Sequence, residues 1–127
     1  MPDQNVRPLE GLKILELARI LAGPWIGQLL ADLGADVVKV ERKGAGDDTR
    51  AWAPPYLKDE AGEDTAESTY FLCANRNKRS LTADLSAAGG QELVRALALK
   101  CDVLIENFKP GGLARYNLDY ASLAADH

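Results

Sequence analysis

The chain is 127 residues long, 46% hydrophobic and 27% charged, which excludes a disordered or fibrous segment and fits one soluble globular domain burying about two-thirds of its unfolded surface. Its 15 Lys and Arg against 19 Asp and Glu leave a net charge of -4, so general nucleic-acid binding and polybasic membrane binding are excluded and any anion site has to be local. Residues before Leu12 are polar and carry Pro2 and Pro8, unlike a secretion signal, and no apolar run approaches the ~20 residues of a spanning helix. Cys73 and Cys101 lie far apart without metal-ligand spacing, which points to a cytoplasmic protein with reduced thiols and no zinc. The sole histidine, His127, is the last residue, so a Ser/His/Asp or Cys/His mechanism inside the chain is not expected.

In chain order, residues 13–17 (KILEL) and 36–41 (DVVKVE) are short apolar runs, the second with Val37, Val38 and Val40 supplying the β-branched bias of a buried strand. Between them Pro24 suits the first turn of a helix, Trp25, Leu29, Leu30 and Leu33 recur at helical spacing, and Gly34 supplies the stop. Strand, helix and strand in this order predict a right-handed crossover between parallel strands, the start of an α/β layered fold. Residues 44–68 are rich in Gly, Pro, Asp, Glu and Thr and contain Pro54-Pro55, so a long loop without regular elements is expected, of the kind used for binding or as a lid.

Residues 69–74 read as one or two helical turns, 75–79 as a polar hinge and 80–83 as a third strand. Ser86 is placed to cap a helix reaching about Lys100, with Leu93, Val94, Leu97 and Ala98 as its apolar face and Gly89-Gly90 weakening its first turn. Residues 102–108 form a fourth strand that leaves into the turn Lys109-Pro110-Gly111-Gly112, and short helical segments follow at 113–116 and 120–125. The amphipathic pattern then stops without a C-cap signal.

The first βα turn, residues 18–24, contains only Gly23 where a dinucleotide fold carries its glycine fingerprint, which argues against nicotinamide or flavin binding. The second strand ends in Arg42-Lys43, which reads either as a solvated basic pair or as a site for a phosphorylated ribose such as that of coenzyme A. Arg76, Lys78 and Arg79 are either a phosphate patch or a solvated turn. At the end of the fourth strand Asn107, Phe108 and Lys109 combine an amide, a ring and a cation, a set suited to a nucleotide, although a ring there serves equally as core. Trp25, Tyr70, Phe71 and Leu72 are read as packing, Asp47-Asp48 as solvent-facing, and no acid/base couple stands out.

Taken in order, the segments LEGLKILELARILAGPWIGQLLADLGADVVKVER, GAGDDTRAW, ESTYFLCANRNKRSLTADL and DVLIENFKPGGLARYNLDY closely resemble the class III CoA-transferase family, which includes formyl-CoA transferase, the carnitine CoA-transferases and α-methylacyl-CoA racemase. The resemblance runs from about Leu9 to Leu123 and corresponds to the N-terminal, CoA-binding portion of a considerably longer polypeptide. It implies a Rossmann-like α/β core, an N-terminal extension over residues 1–11, a truncated CoA-binding domain over 12–127, and a homodimer whose subunits interlock. In such transferases an aspartate attacks the acyl-CoA thioester, forming a mixed anhydride and releasing the CoA thiolate, which attacks the aspartyl carbonyl to give an enzyme thioester before transfer to a new carboxylate; that aspartate, like the racemase acid/base pair, would lie beyond His127. A related racemase and a non-catalytic CoA-binding or association module are the alternative readings.

By the same resemblance, CoA-contacting positions fall at Leu21 and Ala22 in the first turn, Arg42 after the second strand, Ala83, Asp84, Leu85 and Ser86 after the third, and Asn107, Phe108, Lys109 and Arg115 near the end, with Arg42 and Asn107 foremost. Residues 75–79 are then assigned mainly structural support. Two departures stand out: Leu21 replaces a glutamine of the formyl-CoA transferase turn, which implies a different substrate, and Ser86 replaces a basic residue, which shifts that charge to Arg42 or Lys43.

Overall fold

A computed structural model describes residues 7–126. Four parallel strands form the sheet: β1 (Lys13–Glu16), β2 (Asp36–Arg42), β5 (Arg79–Ala83) and β6 (Val103–Ile105), in the order β5-β2-β1-β6. Helix α1 (Ala22–Asp32) connects β1 to β2, α2 (Thr69–Asn75) precedes β5, α3 (Ala88–Ala98) connects β5 to β6, and α4 (Tyr120–Leu123) follows. The register sets Ile14 opposite Val37 and Val103, and Val40 opposite Leu81. This is the α/β parallel-sheet architecture expected from the alternation of apolar runs and helical spacing.

Because side chains alternate across a strand, β1, β2 and β6 each feed two cores. Leu15, Leu17, Val40 and Ala83 pack with Val94 and Ala98 of α3 and with Leu113, Leu118 and Leu123. Ile14, Ala18, Val37 and Ile105 pack with Ala31 of α1 and Ala35. The chain entering β1 is tied to the end of α1, where the Leu9 amide donates to the Leu33 carbonyl at 3.0 Å. The structural part of the expected 1–11 extension that falls on residues 1–6 lies outside the described residues, as does His127.

Helix α1 inverts the expected packing. Its buried residues are Gly23, Pro24, Gly27, Gln28 and Ala31, whereas Trp25 is 61% and Leu29 56% exposed. The reason is close approach: a Cβ on Gly27 would stand 1.9 Å from the Glu16 Oε2 beneath it, so the helix lies too near the sheet for large side chains on that side. Trp25, Leu29 and Leu33 therefore face away from the sheet. Of the other residues read as packing, Phe71 is buried, Tyr70 half-buried and Leu72 exposed.

The connection over 44–68 is built rather than structureless. A 3-10 turn at Asp48–Ala51 is followed by an antiparallel hairpin of β3 (Tyr56–Lys58) and β4 (Asp64–Ser68). Pro54-Pro55 interrupts the chain only between the 3-10 turn and the hairpin. The hairpin closes on Asp59, whose carboxylate accepts the amides of Ala61 and Glu63 at 2.9 Å each, an Asx-type turn that the prolines overshadow in the sequence.

The start of α3 also differs. Ala87 is the N-cap residue and no side chain caps the helix, because the Ser86 hydroxyl donates to Asp84 Oδ1 at 2.6 Å instead. Gly90 has a packing role there, since a Cβ would lie 1.9 Å from the Asp84 carbonyl oxygen. Within the expected apolar face, Val94 and Ala98 are buried but Leu93 is 46% exposed.

Candidate functional site

The carboxyl ends of β1, β2 and β5 open onto a crevice of about 500 Å³, on the edge where open α/β sheets hold ligands. It is lined by Leu17, Arg19, Lys39, Val40, Glu41, Arg42, Lys43, Gly46, Asp47, Ala83, Asp84, Leu85, Ser86, Phe108, Arg115 and Tyr116. Arg19, Arg42, Lys43 and Arg115 are exposed, so four cations meet solvent around one opening of an otherwise acidic chain. Phe108 lines the crevice while packing on the apolar core, and the Arg115 guanidinium sits 4.5 Å from the Tyr116 ring centroid.

Behind the crevice lies a buried set of charges. Lys39, 1% exposed, donates to Glu16 Oε1 and to the Ala18 carbonyl at 2.9 Å each and meets Asp47 Oδ2 at 2.9 Å. The Lys78 ammonium meets Glu16 Oε2 at 2.8 Å and donates to the carbonyls of Pro24 at 2.7 Å and Ala74 at 2.9 Å and to Asn75 Oδ1 at 2.9 Å. Two ammoniums and two carboxylates thus neutralise one another where water cannot, the condition under which buried charge is tolerated. Burial pushes the Lys78 ammonium down against the pull of Glu16. Burial would raise the Asp47 carboxyl, but Lys39 and the Thr49 hydrogen bonds outweigh it and hold Asp47 below its ordinary value.

A second carboxylate anchors the loop after β2. Glu41 accepts Arg50 Nε at 2.7 Å and Nη2 at 2.8 Å, the Ser80 hydroxyl at 2.6 Å and the Asp47 amide at 2.9 Å. Burial opposes ionisation, yet these donors prevail and bring the Glu41 carboxyl down to about 2. Asp47, expected to face solvent, is instead 1% exposed and caps the 3-10 turn by accepting the Thr49 amide. Burial leaves its carboxylate no water, so protein donors must replace it.

The turn from β1 to α1 is held from both sides. Ile20 has φ 72°, the left-handed region that a β-branched side chain disfavours. Its amide reaches Asp47 at 3.2 and 3.3 Å, and Asn107 clamps the adjacent peptide, accepting the Arg19 amide at 2.9 Å and donating to the Arg19 carbonyl at 2.8 Å.

Of the positions expected to contact CoA, the crevice gathers Arg42, Ala83, Asp84, Leu85, Ser86, Phe108 and Arg115. Leu21 and Ala22 begin α1 outside its lining, and the Asn107 amide is engaged with Arg19. Lys109 lines a different hollow, of about 590 Å³, between β6 and α4. That hollow is the larger, but it lacks the convergence of cations at the strand ends.

The run 75–79 is structural. Arg76 meets Asp32 at 2.6 Å, Asn77 donates to Asp32 at 2.8 Å, Lys78 joins the buried charges and Arg79 meets Asp36 at 2.6 Å. Sequence reasoning missed Arg19, Glu16, Lys39, Glu41 and Asp47. For Glu16, Lys39 and Glu41 the signal was there, since a charge inside a strand covered on both faces has to be paired, whereas Arg19 and Asp47 lie outside the strands.

Comparison with known proteins shows the chain's relatives. The family profile described as CoA-transferase family III matches residues 9–127. The chain is 56% identical over 123 residues to a succinate–glutarate CoA-transferase of Agrobacterium fabrum, covering 97% of the chain and 30% of that protein. It is 48% identical over 119 residues to a human succinyl-CoA:glutarate CoA-transferase, covering 94% of the chain and 26% of that protein. A crystal structure of a CAIB/BAIF family protein from Brucella suis superposes with a TM-score of 0.86 at 59% identity, covering 94% of the chain and 31% of that structure. The chain therefore spans about a third or less of the relatives it matches. With the parallel sheet, the crevice at its carboxyl edge and a match over nearly the whole length, this chain belongs to CoA-transferase family III.

Proposed function

We propose that this chain is the N-terminal, CoA-binding portion of an enzyme that moves CoA between carboxylic acids. The observation that carries the reading is the crevice of about 500 Å³ bordered by Arg19, Arg42, Lys43 and Arg115, with Phe108 on its wall. Guanidinium groups suit phosphates through charge-assisted, forked hydrogen bonds, and a half-buried ring offers a face to adenine. Arg42 is assigned to the ribose phosphate, Ala83, Asp84, Leu85 and Ser86 to backbone contacts, and Leu21, Ala22 and Lys109 to the wider rim. Asn107 serves by holding the turn at Arg19 in place.

Relatives named for succinate and glutarate support a dicarboxylate donor and acceptor, in keeping with Leu21 standing where a formyl-CoA transferase resembles a glutamine. In this reading the nucleophilic aspartate belongs to a part of the whole protein outside residues 1–127, and this chain binds and orients the thioester. The whole protein is a homodimer of the cytoplasm, with residues 12–127 as the CoA-binding domain. The exposed apolar side of α1, with Trp25 at 61% and Ile26 at 53% exposure, supports further burial against other parts of the assembly.

Titration with CoA and with dephospho-CoA tests the reading. Loss of the ribose phosphate should weaken binding by about 1 to 3 kcal/mol, and Arg42→Ala should reproduce that loss for CoA while leaving dephospho-CoA unaffected. Equal affinity of the wild-type protein for both ligands, or an Arg42→Ala protein with unchanged CoA affinity, overturns the assignment.

A further inference from the structure

We propose that Arg19 and Arg42 form a single two-guanidinium anion site whose resting occupant is the Asp48 carboxylate, and that a phosphate of the ligand takes the place of that carboxylate. The identity of the ligand rests on the CoA reading above; the anion site does not. Arg19 leaves the end of β1 and Arg42 ends β2, yet both reach the same side chain: Arg19 Nη1 lies 3.0 Å from Asp48 Oδ2 and Arg42 Nη2 lies 2.5 Å from Asp48 Oδ1. One carboxylate bridging two arginines that line a ligand-sized crevice is the arrangement a bound oxyanion would make.

The mounting of the three groups makes exchange easy. Asp48 is fixed by its neighbours, since Asp47 and Thr49 are buried and Asp47 is tied to Lys39. The arginines are the mobile partners, their side chains 45% and 53% exposed. Exposed ion pairs of this kind contribute little, so the guanidiniums can turn from the carboxylate to a ligand at small cost. A phosphate offers more charge and more acceptor oxygens than a carboxylate, and both forks can engage it together. Lys43 and Arg115, the other exposed cations of the crevice, make no ion pair within 4.0 Å among the described residues, so the carboxylate screens this one pair selectively. After exchange Asp48 remains near the new anion and repels it, which fixes the sign of the effect: removing its charge strengthens binding.

The test is calorimetric titration of the wild-type, Asp48→Asn, Arg19→Gln and Asp36→Asn proteins with inorganic pyrophosphate and with CoA. Asp36→Asn removes the same charge from the Arg79 pair away from the crevice and reports the general effect of net charge. Asp48→Asn is expected to bind pyrophosphate about three- to tenfold tighter than wild type, more so at low salt. Asp36→Asn is expected to match wild type, and Arg19→Gln to bind more weakly. Asp48→Asn binding pyrophosphate equally, more weakly or not at all overturns the proposal, as does an Arg19→Gln protein with undiminished affinity. Tighter pyrophosphate binding by Asp48→Asn with no CoA binding by any protein upholds the anion site and rejects the CoA reading. CoA binding by all four proteins with the same pyrophosphate affinity in all four upholds the CoA reading and overturns the anion site.

Discussion

The two faces of the sheet are built from the same strands by different physics. Toward α3 and α4 the strands present Leu15, Leu17, Val40 and Ala83, an apolar surface closed by Val94, Leu118 and Leu123. Toward α1 and α2 the alternate residues include Glu16, Lys39 and Glu41, and the cover is a helix that approaches through Gly23, Gly27 and Ala31. The apolar face gains its stability from area removed from water and tolerates changes of shape. The charged face is held by geometry: its groups contribute only while every partner stands in place. It is also the face that anchors Asp47, and through Asp47 the Ile20 turn beside the crevice. Rigidity at the binding edge is thus supplied by the face least able to adapt.

The comparison is sharpest when both faces receive the same side chain. Lys39→Met removes the ammonium that Glu16 and Asp47 share, leaving Glu16 only Lys78 and Asp47 only the Ile20 and Thr49 donors, and should cost about 3 to 5 kcal/mol, whereas Leu15→Met on the other face should cost less than about 1.5 kcal/mol. Urea unfolding of the two variants measures the difference, and equal losses would break the distinction. Gly27→Ala forces the helix off Glu16 and is expected to cost about 1 to 3 kcal/mol, read as a lowered urea midpoint.

Acid should find the charged face first. The folded-state carboxyl of Glu41 lies at about 2, below its ordinary value of 4.5, and that of Asp47 is also lowered. Their contribution is therefore complete above the unfolded values and fades as the pH falls through them toward about 2. Unfolding midpoints should hold level at neutral pH and drop below about pH 4.5, and Glu41→Gln should lower the neutral-pH midpoint and flatten the drop. The smallest effect belongs to the surface: Arg76→Gln, which breaks the exposed pair with Asp32, should lower the urea midpoint least of these variants and lose even that difference at high salt.

Much of the fold was legible because it depends on local pattern. The β-branched run at Val37, Val38 and Val40 marked a buried strand, and Pro24 marked the first turn of a helix. Of the candidate site, Arg42, Phe108 and Arg115 were named from the sequence and line the crevice, and Arg76 and Arg79 pair with Asp32 and Asp36. Helical spacing at Trp25, Leu29 and Leu33 located α1 but not its inner face, since glycine carries no hydrophobic signal although it permits the closest approach. Asp48 looked like one more acid in a polar loop until the ends of β1 and β2 brought two arginines to it.

The sequence by itself determined the four parallel strands, the helices between them and the family to which the chain belongs, though not the hairpin of β3 and β4, because periodicity and ordered motifs are properties of the chain read along its length. Only the tertiary structure decided which charges meet. Glu16, Lys39, Asp47 and Lys78 lie up to 62 positions apart yet share one buried volume, and an ion pair depends on distance in space, to which separation along the chain is no guide.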